Sequence, residues 1–116
     1  MDWIRPCAYD DAQKAAFHHT ARKRLKALAE AMGWDTESYD LRSNRAGIAV
    51  SGEITLHHET VYIQVSQSAC GPGCGILIRT CRGRRDYTGG PNHFAPLALL
   101  NDIPMLAARV RAVARL

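Results

Sequence analysis

The chain has 116 residues, 15 Lys and Arg against 11 Asp and Glu, and a formal net charge of +4; 47% of it is hydrophobic and 22% charged. That length and balance predict one globular domain, 1–116, that needs neither a disulfide framework nor a structural metal to fold. No stretch approaches the roughly 18 apolar residues of a membrane helix, and the first residues, MDWIRPCAYDDAQ, lack the apolar core of a secretion signal, so the expectation is a cytoplasmic protein with no membrane partner.

Residues 10–33 read as an amphipathic helix. Asp10 or Asp11 is placed to accept from the free backbone N–H groups of its first turn. Phe17, Ala21, Leu25, Leu28 and Met32 recur at spacings of three and four and form one apolar stripe. Gly33 supplies the positive φ that ends many helices. Residues 34–45 are polar and read as irregular.

A β region follows. Ile48 and Val50 alternate before the Ser51-Gly52 turn. Ile54 and Leu56 alternate with Glu53, Thr55 and His57. Val61, Ile63 and Val65 alternate with Tyr62, Gln64 and Ser66, and the run from Gly75 to Cys81 is the last clear strand. Residues 102–115 predict a second helix, capped by Asn101 or Asp102 with Pro104 in its first turn. Its apolar face carries Ile103, Leu106, Ala107, Val110, Val113 and Ala114.

The expected fold is α+β, a three- to four-stranded antiparallel sheet in α-β-β-β-α order with both helices on one face. Alternation then puts Glu53, Thr55, His57, Tyr62, Gln64, Ser66 and Arg79 on the opposite face, which is expected to be solvated. The helix–three strands–helix order resembles that of the double-stranded-RNA-binding domain. That family sets a Gly-Pro-x-His element between its first two strands and a lysine cluster at the start of its last helix. Here Gly90-Pro91-Asn92-His93 follows the last strand and the last helix opens NDIPML, so no family is assigned.

Charge singles out the candidate site. Residues 41–116 hold nine Arg, no Lys and four acidic residues. Arg79, Arg82, Arg84 and Arg85 fall within seven positions. Beyond them come Tyr87, Gly89, Gly90, Asn92 and His93, in a segment without apolar periodicity. Arginine grips phosphate or carboxylate with a planar fork, and an aromatic ring beside it suits a base or a partner surface. The reading is a non-enzymatic binding module, an inhibitor or adaptor of phage or mobile-element type, whose site residues are Arg79, Arg82, Arg84, Arg85, Tyr87, Asn92 and His93. Its partner is an acidic protein surface or a nucleic acid. Phe94, the first large apolar residue after the loop, is expected to be buried and to pin it.

Other chemistry is weaker in the sequence. A zinc site from Cys70, Cys74, Cys81 and His93 would require Cys74 and Cys81 to converge. In an extended strand they stand about 20 Å apart, at roughly 3.3 Å per residue. Neither metal nor cofactor is therefore expected. Cys70 and Cys74 flank Gly-Pro-Gly and could face each other across a hairpin, close enough for a disulfide under oxidation, but the favoured reading is two reduced thiols beside a tight turn. Cys81 as nucleophile, His93 as base and Asp86 as orienter form the only catalytic alternative, and no nucleophile elbow, phosphate loop or dinucleotide motif accompanies them. No catalytic residue is assigned.

Overall fold

The computed structural model describes Trp3 and residues 10–45, 51–67 and 72–115. The expected Ile48–Val50 alternation and Cys70 lie outside those residues.

Helix α1 (Asp11–Ala31) begins where the Asp10 carboxylate accepts from the backbone N–H of Ala12 and Gln13 at 2.9 and 3.2 Å. It ends in a Schellman motif: Gly33, at φ +75°, donates to the Glu30 carbonyl and Trp34 to that of Ala29. Phe17, His18, Ala21, Leu25, Leu28 and Ala29 are its buried residues. Helix α2 (Ile103–Ala114) is capped by Asp102, whose carboxylate accepts from Met105 N–H at 3.2 Å. It buries Leu106, Ala107 and Val110.

Between the helices runs a five-stranded antiparallel meander: β1 (Tyr39–Asn44), β2 (Glu53–His58), β3 (Val61–Val65), β4 (Ile76–Thr80) and β5 (His93–Ala95), in spatial order β1-β2-β3-β4-β5. This corrects the expected three to four strands. β1 falls in the segment read as irregular. It is an edge strand whose burial fades from Tyr39 towards an exposed C-terminal half, so it carries little apolar alternation. β5 has three residues, too few for a period-two signal, and is defined by its pairing of Ala95, Phe94 and His93 with Ile76, Leu77 and Ile78.

Register assigns the two faces. Leu41, Leu56, Ile63 and Ile78 align in one row, and Ile54, Val65, Ile76 and Ala95 in the next. Both rows pack with Phe17, Leu25 and Leu28 of α1, with Leu106 and Val110 of α2, and with Leu97 and Leu100 from a 3-10 turn. The core thus lies between both helices and one sheet face. Trp3 joins it, its ring edge-on to Phe17 at 5.7 Å and its Nε1 donating to Asn101 Oδ1 at 2.8 Å.

Each helix also sends an arginine to the edge strand nearest it. Arg22 of α1 donates to the Leu41 carbonyl of β1 at 3.3 Å, and Arg109 of α2 to the Phe94 carbonyl of β5 at 3.0 Å. Such contacts use up backbone acceptors that would otherwise template another strand. Among the described residues, no helix is long and apolar enough to cross a membrane.

Candidate functional site

The outer sheet face holds two rows of side chains. One is Asp40, His57, Tyr62 and Arg79; the other is Arg42, Thr55, Gln64, Leu77 and Phe94. The assignment of His57, Tyr62 and Arg79 to this face agrees with the alternation in the sequence. Their expected solvation does not hold, because residues 81–90 fold back over the first row. His57 is only 3% exposed and Tyr62 is buried.

Asp86 organises this loop. Its carboxylate accepts from Arg82 N–H at 3.0 Å, from Thr88 N–H at 3.1 Å, from the Thr88 hydroxyl at 2.8 Å and from Gly89 N–H at 3.2 Å. The Arg82 N–H contact leads in holding this carboxyl well below the usual carboxylate range, followed by those from Thr88 and Gly89. Gly89 turns the chain at φ +46°, and Gly90 N–H then donates to the Thr80 carbonyl at 2.9 Å. A Cβ on Gly89 would stand 2.6 Å from that same carbonyl oxygen, so glycine is required here.

Tyr87 docks the loop on the sheet. Its carbonyl accepts from Arg79 Nη2 at 2.7 Å, its hydroxyl from Arg42 Nη1 at 3.4 Å, and its ring meets His57 edge-on at 5.2 Å. The Arg79 guanidinium also lies 4.4 Å above the Tyr62 ring. Arg84 Nη2 donates to Asp40 Oδ1 at 3.4 Å, and Asp40 Oδ2 lies 3.8 Å from Arg42 Nη2. Under this cover three buried nitrogens lack a partner among the described residues: His57 Nε2, Arg79 Nε and Arg84 Nε. Burial pushes the His57 imidazole below its ordinary pKa, against the Gly83 carbonyl and Asp40, which favour the charged form.

The arginine cluster therefore divides. Arg79 and Arg84 hold the loop to the sheet. Arg82 and Arg85 are exposed, and neither guanidinium has a partner among the described residues. Arg82 lines a polar cleft of about 530 Å³ with Thr80, Cys81, Asp86, Thr88, Gly89 and Gly90. Tyr87 belongs to the loop and remains 54% exposed. Asn92 is exposed. His93 lies in the inner-face row opposite Ile78, beside Val113 and Arg115 of the α2 end, and so stands apart from Tyr87.

Phe94 is not a buried anchor. It points to the outer face opposite Leu77 and is 45% exposed; its neighbour Ala95 is the residue that enters the core. Asp86 and Tyr87 order the loop in its place. Residues the sequence reading left out of the site are Asp40, Arg42, His57, Tyr62 and Asp86. For His57 and Tyr62 the signal was their outward alternation; for Asp86 it was the Asp-x-Thr-Gly spacing of a side chain that bonds its own backbone two residues on.

The structure does not bring Cys81 and His93 together. His93 pairs with Ile78, three residues before Cys81. The Cys81 thiol donates to the His58 carbonyl at 3.2 Å, and burial pushes its pKa up, which keeps it protonated. Asp86 is occupied by its own loop. Among the described residues no three His, Cys, Asp or Glu side chains gather where one ion would be held.

Comparison with protein-family models, with curated proteins and with solved structures finds no match to this chain.

Proposed function

We propose that this chain is a non-enzymatic binding module that grips an anionic macromolecule through residues 81–92 and the adjoining outer sheet face. The observation that carries the reading is the division of the arginine cluster. Arg79 and Arg84 hold the loop to the sheet, while Arg82 and Arg85 present exposed, unpartnered guanidiniums on it. A loop whose shape is already fixed pays less ordering entropy when a ligand arrives. Neither nearby carboxylate forms an ion pair with these two guanidiniums: Asp40 is shared between Arg42 and Arg84, and Asp86 turns its oxygens to backbone N–H groups and the Thr88 hydroxyl.

The test is a salt titration of binding to single- and double-stranded nucleic acids and to poly-L-glutamate, followed by fluorescence anisotropy. Replacing Arg82 and Arg85 together by Ala removes about two counterion-linked contacts, so on nucleic acid the log–log salt slope falls by roughly 1.4 to 1.8. If the wild-type chain binds none of these polyanions at low ionic strength, the proposal is wrong.

A further inference from the structure

We infer that the anionic ligand is single-stranded nucleic acid, laid across the open row of the sheet with bases stacked on Tyr87 and Phe94. This rests on the anion-binding reading above and specifies its ligand.

The described residues expose three large hydrophobic side chains, Tyr87, Phe94 and Met105. Two of the three are aromatic rings on the outer sheet face. Tyr87 sits over His57 of β2, and Phe94 projects from β5. Three strand spacings separate those strands, about 14 Å at roughly 4.8 Å each. A span of that size takes two or three bases, the number that aromatic sheet platforms hold.

The ground between the rings suits bases. Thr55, Gln64 and Leu77 form a half-exposed strip across β2, β3 and β4. Gln64 Oε1 accepts from the Tyr62 hydroxyl at 3.0 Å, which fixes the amide and leaves its NH₂ to donate to a base edge. Arg42 stands exposed at the β1 end of the same strip, with Arg82 and Arg85 on the loop that carries Tyr87. Two carboxylates border the strip: Glu53, which Asn44 Nδ2 approaches at 3.5 Å, and Asp40, which is shared between Arg42 and Arg84. Guanidiniums for phosphates at one end of the strip and rings for base faces on either side of it supply the two requirements of single-strand binding.

Alternative ligands fit less well. A duplex is read by an element that enters a groove, and among the described residues the sheet face carries one short, tied-down loop. An extended acidic peptide would add to a sheet edge, but Arg22 and Arg109 already occupy carbonyls on both edge strands.

The experiment titrates the full chain against labelled dT12 and rU12, the corresponding 12-base-pair duplexes, and poly-L-glutamate at low salt. Single strands are expected to bind at least tenfold more tightly than duplex or polypeptide. Phe94→Ala is expected to weaken single-strand binding about tenfold while leaving the salt slope unchanged, because a stacking contact releases no counterion. Phe94→Trp is expected to restore the affinity. Urea unfolding of each variant separates this from loss of fold. Equal or tighter binding of duplex or polyglutamate, or single-strand affinity indifferent to Phe94→Ala, overturns the inference and leaves the anion-binding module standing. Binding to no polyanion at all removes both.

Discussion

Replacing Phe94 by Ala separates a stacking platform from a core anchor. A phenylalanine fully removed from water buries about 150–250 Å². Phe94 retains 45% of its exposure, so roughly 110 Å² is buried. At about 25 cal/mol per Å² that burial is worth at most about 2.7 kcal/mol. The Cβ kept by Ala and the partial burial already present in a compact unfolded chain bring the expected loss to about 1.5 kcal/mol. With a urea m-value of about 1.5 kcal/mol/M, the unfolding midpoint then moves by about 1 M. Phe17, 1% exposed between Trp3 and His18, is the internal reference. Its replacement by Ala costs about 3–5 kcal/mol and shifts the midpoint at least twice as far. Equilibrium urea unfolding monitored by circular dichroism reads both. A Phe94→Ala shift as large as that of Phe17→Ala would place the ring in the core and refute both its outward orientation and the stacking role built on it.

Two other perturbations probe the loop and the face beneath it. His57, His18 and His58 all have their pKa lowered, chiefly by burial, so the unfolded chain takes up these protons first as pH falls. Their contribution to stability is complete above about pH 6.5 and declines below it until the folded pKa values are passed, whereas the depressed Asp86 carboxyl acts only below about pH 4; urea midpoints that stay level or rise between pH 7.5 and 5 would contradict this. Asp86→Ala strips the acceptor from the Arg82, Thr88 and Gly89 amides, so their hydrogen exchange is expected to accelerate and polyanion affinity to fall although every arginine remains; unchanged protection of those amides would show that Asp86 does not order the loop.

The helices were legible because each carries its own punctuation. Asp10, Gly33 and Asp102 act locally, and the stripe from Phe17 to Leu28 repeats often enough to reveal its period. β2, β3 and β4 alternate because one of their faces meets the core along their length. β1 does not, since its second half runs out past the core, and β5 ends at Ala95 before any alternation builds up. Missing β5 had a cost at the site. Without a strand there is no parity, and Phe94 reads as the nearest anchor for the loop. Once His93–Ala95 pairs with Ile76–Ile78, parity turns Ala95 inward and Phe94 outward. The clustering of arginines was plain in the sequence, but their division was not. It depends on Asp40, 44 residues from Arg84, and on a backbone carbonyl at Tyr87.

That division explains how four arginines within seven residues are tolerated. Held close together, their charges repel, and a flexible loop would relieve the repulsion by spreading out. Here Arg84 shares the Asp40 carboxylate with Arg42. Arg79 takes on two roles that a lysine does not combine: its planar guanidinium lies over the Tyr62 ring while Nη2 donates to the Tyr87 carbonyl. Asp86, aimed at backbone N–H groups, fixes the turn without pairing with the Arg82 or Arg85 guanidiniums. The loop backbone is tied on both sides of Arg82 and Arg85, by the Asp86 bond to Arg82 N–H and by the Tyr87 carbonyl bond to Arg79. The same ties that bury His57 and leave its Nε2 without a partner thus keep the guanidiniums displayed. An unpaired nitrogen under the loop is a local cost to stability, and the ordered, outward-facing charge is what it supports.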